Sequence, residues 1–153
     1  MNQQDQISIR QASIFDVDLL APMFDAYRQF YSRPSDFELA RQFLFARLRN
    51  DQSIVFLAVR QDDSAVGFAS YFPASRPHPS PGLLSSTTSM CSRTSGAREM
   101  GKLLLKAAAQ FGRAAGAVRL TLSTEITNQA AQALYDNAGW TRQTDFQLYN
   151  LPL

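Results

Sequence analysis

Ile7-Ser8-Ile9-Arg10 alternates apolar with polar positions, the two-residue period of a strand with one face buried. At Ser13 the period changes. Leu19, Leu20, Met23, Phe24, Tyr27 and Phe30 recur at helical spacing, and Ser13 with Asp16 three positions on makes a capping box at the start. Pro34-Ser35 breaks this helix. Ser35 with Glu38 predicts a second capping box, followed by an apolar stripe of Ala40, Phe43, Leu44 and Leu48. The apolar run over residues 53–59 predicts a buried strand. Gln61-Asp62-Asp63-Ser64 predicts a turn, and residues 65–72 predict the hairpin partner.

Beyond residue 100 the pattern is again regular. Residues 101–115 predict a helix rich in Leu and Ala, opened by Gly101 and stopped by Gly116. Residues 118–123 predict a strand. Asn128 caps a short helix with Ala131, Leu134, Tyr135 and Ala138 on one side, and Gly139 ends it. Trp140 begins the last predicted strands, which take in Phe146, Leu148, Tyr149 and Leu151. Helices interleaved with strands, one hairpin and no internal repeat predict a single mixed α/β domain over 1–153. Its sheet is mostly antiparallel and flanked by helices.

Residues 73–100, PASRPHPSPGLLSSTTSMCSRTSGAREM, do not share this patterning. The stretch is rich in Ser, Pro, Thr and Arg, and no aromatic residue occurs between Pro73 and Met100. It predicts an irregular or weakly paired segment, with residues 83–95 a polar substitute for a strand.

Composition narrows the chemistry. With 153 residues, 45% of them apolar, the chain suffices for one buried core. A net charge of +2 spread along the chain is too mild for a nucleic-acid or anionic-membrane partner. No apolar run reaches the length of a membrane span, and the polar start MNQQDQ predicts no signal peptide, so a soluble, cytoplasmic protein is expected. Cys91 and His78 are the only residues of their types. That excludes an internal disulfide and a Cys/His metal cluster, and no metal is expected. It also excludes a Ser-His-Asp or Cys-His mechanism unless His78 serves, and Pro77 and Pro79 hold His78 poorly for that role.

Two stretches carry candidate chemistry. A helix opened by Gly101 after a loop presents backbone N–H groups and its dipole to an anion. The stretch from Asn128 through Tyr135 to Trp140 can be read wholly as a capped helix with a core stripe. Taken together, GKLLLKAAAQFGRAAGAVRLTLSTEITNQAAQALYDNAGW resembles the C-terminal half of a GCN5-related N-acetyltransferase (GNAT), through its N-x-x-A-x-x-L-Y-x-x-x-G-W pattern and the strand before it. Ile9-Arg10-Gln11-Ala12, two helices and a hairpin ending Val66-Gly67-Phe68 match the N-terminal half. The resemblance covers residues 7–72 and 101–151.

It implies transfer of an acetyl group from acetyl-CoA to a primary amine of a small molecule or amino-acid-like acceptor. Tyr135 would protonate the departing thiolate, because a phenol with an ordinary pKa of about 10 still holds its proton at neutral pH. Asn128 and Ala131 would lie along the pantetheine arm, and Gly101 and Lys102 at the pyrophosphate. The segment between the first two helices, with Tyr27, Phe30 and Tyr31, would line the acceptor site, although core packing accounts equally well for Tyr27. Glu125 is a candidate base or a solvated loop carboxylate. Dimers are common in the family.

The chain departs from the family at its glycine-rich pyrophosphate loop, usually R-x-x-G-x-G. Here it reads Gly96-Ala-Arg-Glu-Met-Gly101, so Glu99 replaces the middle glycine and puts a side chain and a negative charge beside phosphate. The strand before this loop is also missing from the pattern. One event accounts for both: translation out of frame between Phe72 and Gly101. Shifted by two bases, residues 84–91 can encode I-L-N-D-L-Y-V. Met90-Cys91 must then give valine and Met100-Gly101 must give glycine, both where the pattern wants them. The alternatives are a genuine Ser/Pro-rich loop, a catalytically inactive GNAT-like binding module, and an unrelated α/β interaction domain. A topology without parallel strands near Leu120 would mark the last.

Overall fold

The computed structural model describes residues 6–74, 83–87, 97–117, 119–145, 147 and 149–153. The chain packs as two compact units, Met1–Ser123 and Thr124–Leu153. The first holds one five-stranded sheet in the order β1 (Ser8–Gln11), β2 (Ile54–Val59), β3 (Ala65–Ala74), β4 (Leu83–Thr87) and β5 (Leu120–Thr121). The first four strands pair antiparallel, and β4 and β5 run parallel through Leu84 opposite Leu120 and Ser85 opposite Thr121.

β2 is buried on both faces, as its unbroken apolar run requires. Val55, Leu57 and Val59 join a core with Val17, Leu20 and Ala21 of α1 (Val17–Phe30), Leu44 of α2 (Phe37–Arg49), and Phe68. Phe56 and Ala58 face Met100, Leu104 and Ala108 of α3 (Ala97–Ala114) on the other side. Helices therefore cover both faces of the sheet. The capping box at Ser13 forms as its spacing predicts, around a short 3-10 turn, Ile14–Asp16, that leads into α1. Arg10 ties this turn to β1 through two bonds to Asp16, at 2.7 and 2.9 Å.

Four features differ from the sequence pattern. The segment 73–100 is not wholly irregular: β3 runs to Ala74, and Leu83–Thr87 forms a strand in register with it. Backbone pairing needs no particular side chain, so a polar run can occupy a gap between two strands that offer partners. The remainder, 75–82 with His78 and 88–96 with Cys91, lies outside the described residues. Second, α3 begins at Ala97 rather than Gly101. Third, α2 is capped by Asp36, whose carboxylate accepts from Leu39 N at 2.9 Å, and not by Ser35. Fourth, among the described residues of 118–123 only Leu120 and Thr121 are in a strand, and none of the described residues after Trp140 is. An alternating apolar pattern makes a strand only where a partner strand supplies its hydrogen bonds. Tyr149 and Leu151 are exposed instead.

In the second unit α4 (Gln129–Asn137) begins at Asn128, as expected. No helix among the described residues is long and apolar enough to cross a membrane.

Candidate functional site

The first turn of α3 is fixed to the sheet by a glycine. A Cβ on Gly67 of β3 would meet Met100 Sδ at 2.5 Å, so Met100 seats against bare backbone there, and a side chain at 67 would push its flexible end aside. Because the helix starts at Ala97, the backbone amides left without intrahelical acceptors include, among the described residues, those of Ala97, Arg98 and Glu99. Gly101 lies a turn further in and is buried, which corrects its expected place at the helix opening. Lys102 points its ammonium at the Glu99 carboxylate, 2.8 Å away, on the exposed side of the helix. That bond, with Arg98 adding to it, holds the Glu99 carboxyl below its ordinary pKa range. The turn thus offers amides and a lysine that suit a phosphate, together with a carboxylate that opposes one.

In the second unit, both ends of α4 are shaped by the Asn-to-Trp pattern. Asn128 Oδ1 accepts from Ala131 N at 3.1 Å, so Asn128 and Ala131 are joined as a cap. At the other end Gly139 takes φ +83°. Gly139 N donates to Asp136 O at 3.2 Å, and Trp140 N to Tyr135 O at 3.0 Å. This is a Schellman closure, and the Tyr135 and Trp140 rings meet across it with centroids 6.4 Å apart. The fixed interval from tyrosine to Gly-Trp therefore has a physical cause: it locks the tyrosine's backbone and ring at the helix end. Tyr135 is 7% exposed. Glu125 is exposed in the turn before α4, and its carbonyl accepts from Asn128 N at 3.0 Å.

The third cluster lies at the end of α1. Tyr27 and Tyr31 meet edge to face at 4.9 Å, and Phe30 meets Tyr31 at 5.2 Å. Tyr27 also packs on Phe24 and Phe68, so it belongs to the core as well as to this cluster. Phe30 is 65% exposed. The structure thus brings Tyr27, Phe30 and Tyr31 together in one unit, Gly101 and Lys102 on α3 of the same unit, and Asn128, Ala131 and Tyr135 on one helix of the other.

Pattern reading missed Asp25. It sits one turn beyond the buried Ala21, and the residue is 6% exposed within a helix that otherwise buries apolar groups. Ser35 Oγ, Asp36 N and Gln29 Nε2 donate to it at 2.6, 2.8 and 3.0 Å. The Ser35 bond leads in holding its pKa below the ordinary value, and the Asp36 amide adds to it. A carboxylate on the buried face of an amphipathic helix was the available signal. Among the described residues, no group of three or more His, Cys, Asp or Glu residues could hold a metal.

Comparison with known proteins identifies relatives of the chain. Residues 20–140 match the model of the acetyltransferase (GNAT) family. An uncharacterized N-acetyltransferase of Bacillus subtilis, YhfO, is 34% identical, over 95% of this chain and 97% of its own. The crystal structure of a probable acetyltransferase superposes with TM-score 0.87 at 32% identity, covering 95% of this chain and 97% of that one. An aminoglycoside N-acetyltransferase, AAC(6')-Iy, in complex with CoA shares the fold at TM-score 0.73 and 17% identity, over 97% and 96% of the two chains.

Proposed function

The chain belongs to the acetyltransferase (GNAT) family, and on that premise we propose that it transfers the acetyl group of acetyl-CoA to a primary amine of a small or amino-acid-like acceptor. Acetyl-CoA supplies the activated acyl group as a thioester. The residues supply the rest. The amides of Ala97, Arg98 and Glu99 and the Lys102 ammonium bind the diphosphate, and Asn128 and Ala131 flank the pantetheine arm. The Tyr135 hydroxyl gives its proton to the thiolate as the C–S bond breaks. Tyr27, Phe30 and Tyr31 form the wall against which the acceptor amine lies.

The observation that carries this reading is the double capping of α4, which fixes Tyr135 from both ends of a short helix. The CoA held by a structural relative of the same fold supports the choice of donor. The test is release of free CoA on mixing acetyl-CoA with a panel of amines. Tyr135→Phe is expected to lower kcat by about a hundredfold while acetyl-CoA still binds, within the usual range for a general acid. An unchanged rate removes Tyr135 from its role.

One observation favours a second reading, a catalytically inactive binding module. The Glu99 carboxylate already occupies Lys102, at 2.8 Å. Acetyl-CoA binding without CoA release from any amine would establish that reading in place of the first.

A further inference from the structure

The far end of the α1–α2 connection is fastened back to α1 through one side chain. Asp25, on α1, accepts from the Ser35 hydroxyl at 2.6 Å and from the Asp36 amide at 2.8 Å, ten and eleven residues further on. Gln29 and Arg28 brace the same carboxylate from its own helix, with Gln29 Nε2 at 3.0 Å and Arg28 Nη1 at 3.8 Å. Arg28 also donates to Asp36 O at 3.4 Å, and its carbonyl accepts from Arg33 N at 3.0 Å. Between these points the chain passes through Ser32 at φ +58°, a left-handed turn that serine adopts only where its surroundings impose it. Asp36 in turn caps α2. Tyr31 sits at the near end of this segment, with Phe30 and Tyr27 against it.

A buried carboxylate is costly unless several donors satisfy it. Stabilising α2 does not require one here, since Asp36 caps that helix with its own side chain. The bonds to Asp25 instead fix where the 31–36 segment lies relative to the aromatic cluster. We propose that Asp25 is the positioning residue of the acceptor site. Its carboxylate holds the far end of this segment against α1, whose last turn carries the Phe30 and Tyr31 rings, at the spacing that seats a small amine with an apolar or planar body. This inference rests on the acceptor wall proposed above.

The experiment compares wild type, Asp25→Asn and Ser35→Ala. Tryptamine, phenylalaninamide, spermidine and kanamycin serve as acceptors, with KM measured separately for amine and acetyl-CoA and with hydrogen exchange followed at the Asp36 amide. Asp25→Asn is expected to raise the amine KM about tenfold, and Ser35→Ala less, with the acetyl-CoA KM little changed, because misplacing a positioning group costs binding at that group's own site. Exchange at Asp36 accelerates in both variants, and tryptamine and phenylalaninamide lose more than spermidine. Faster exchange with unchanged amine KM overturns the inference, leaving Asp25 a fold-stabilising residue. An equal rise in both KM values also overturns it, as general loosening. Ser35→Ala alone decides the matter if Asp25→Asn fails to fold. Wild-type protein that releases no CoA with any of these amines overturns the proposed function, and this inference with it.

Discussion

Asp16 and Asp25 are two buried carboxylates on one helical segment, and they were unequally visible beforehand. Asp16 is bound by Arg10 and by the Ser13 amide, at 2.7 Å each for the shorter contacts. The Arg10 bond leads in lowering its pKa, and Ser13 adds to it. A lowered folded value means the carboxylate stabilises the fold fully above the ordinary carboxylate range near pH ~4, and that this contribution is lost as pH falls through the lowered value. Asp16→Asn should therefore cost about 1 kcal/mol at neutral pH, a modest figure because Arg10 is half exposed. The gap from wild type should close in acid, as read by urea unfolding over a pH series. A gap that stays constant would show that shape and not charge is at work. Asp16 was legible because its cap partner lies three residues away. Asp25 was not, because its partners Ser35 and Asp36 reach it across a loop, and spacing alone assigned Ser35 to the α2 cap.

At the scale of an element, α3 and α4 show two sources of legibility. The Asn128 and Gly139 ends of α4 are local devices, written within a few residues, and both formed where the pattern put them. The start of α3 was misplaced because a glycine was taken as a boundary. Met100 seating on Gly67, thirty-three residues earlier in the chain, instead holds the turn before Gly101 against the sheet. This extension puts Glu99 inside the helix, paired with Lys102. Glu99→Gly should tighten acetyl-CoA binding about tenfold, since removing one like charge some 4 Å from phosphate is worth between about 1 and 4 kcal/mol and a helical glycine costs up to about 1. Glu99→Gln should recover the charge part alone, and the gain should shrink as salt rises. Calorimetric titration at two ionic strengths reads both. Affinity unaltered in either variant would mean that phosphate does not approach this turn.

Over the whole sheet, the decisive position is β4. It stands between β3, paired over five residues, and β5, paired over two. A strand so placed supplies hydrogen bonds to both neighbours, so its quality governs more of the molecule than its length suggests. The outline of the sheet was legible from the β2–β3 hairpin and the apolar runs. The parallel β4–β5 pair was not, because Leu83–Thr87 carries only two apolar residues and its pairing is set by the flanking strands. The parallel pair at Leu120 also removes the reading as an unrelated interaction domain. The out-of-frame account places I-L-N-D-L-Y-V over residues 84–91, overlapping this strand. A variant with 73–100 rewritten in that frame gains several large apolar side chains at a site with two pairing partners. At about 1.5–3 kcal/mol for each one buried, and about 2–4 °C per kcal/mol for a chain of this size, its melting midpoint should rise by roughly 10 °C or more. Acetyl-CoA should bind more tightly as well, because the same rewriting removes Glu99. Equal melting and equal affinity for the two chains would mean that the Ser/Pro-rich block is native to this fold, and a coding strand without the alternative frame would exclude the account at its source.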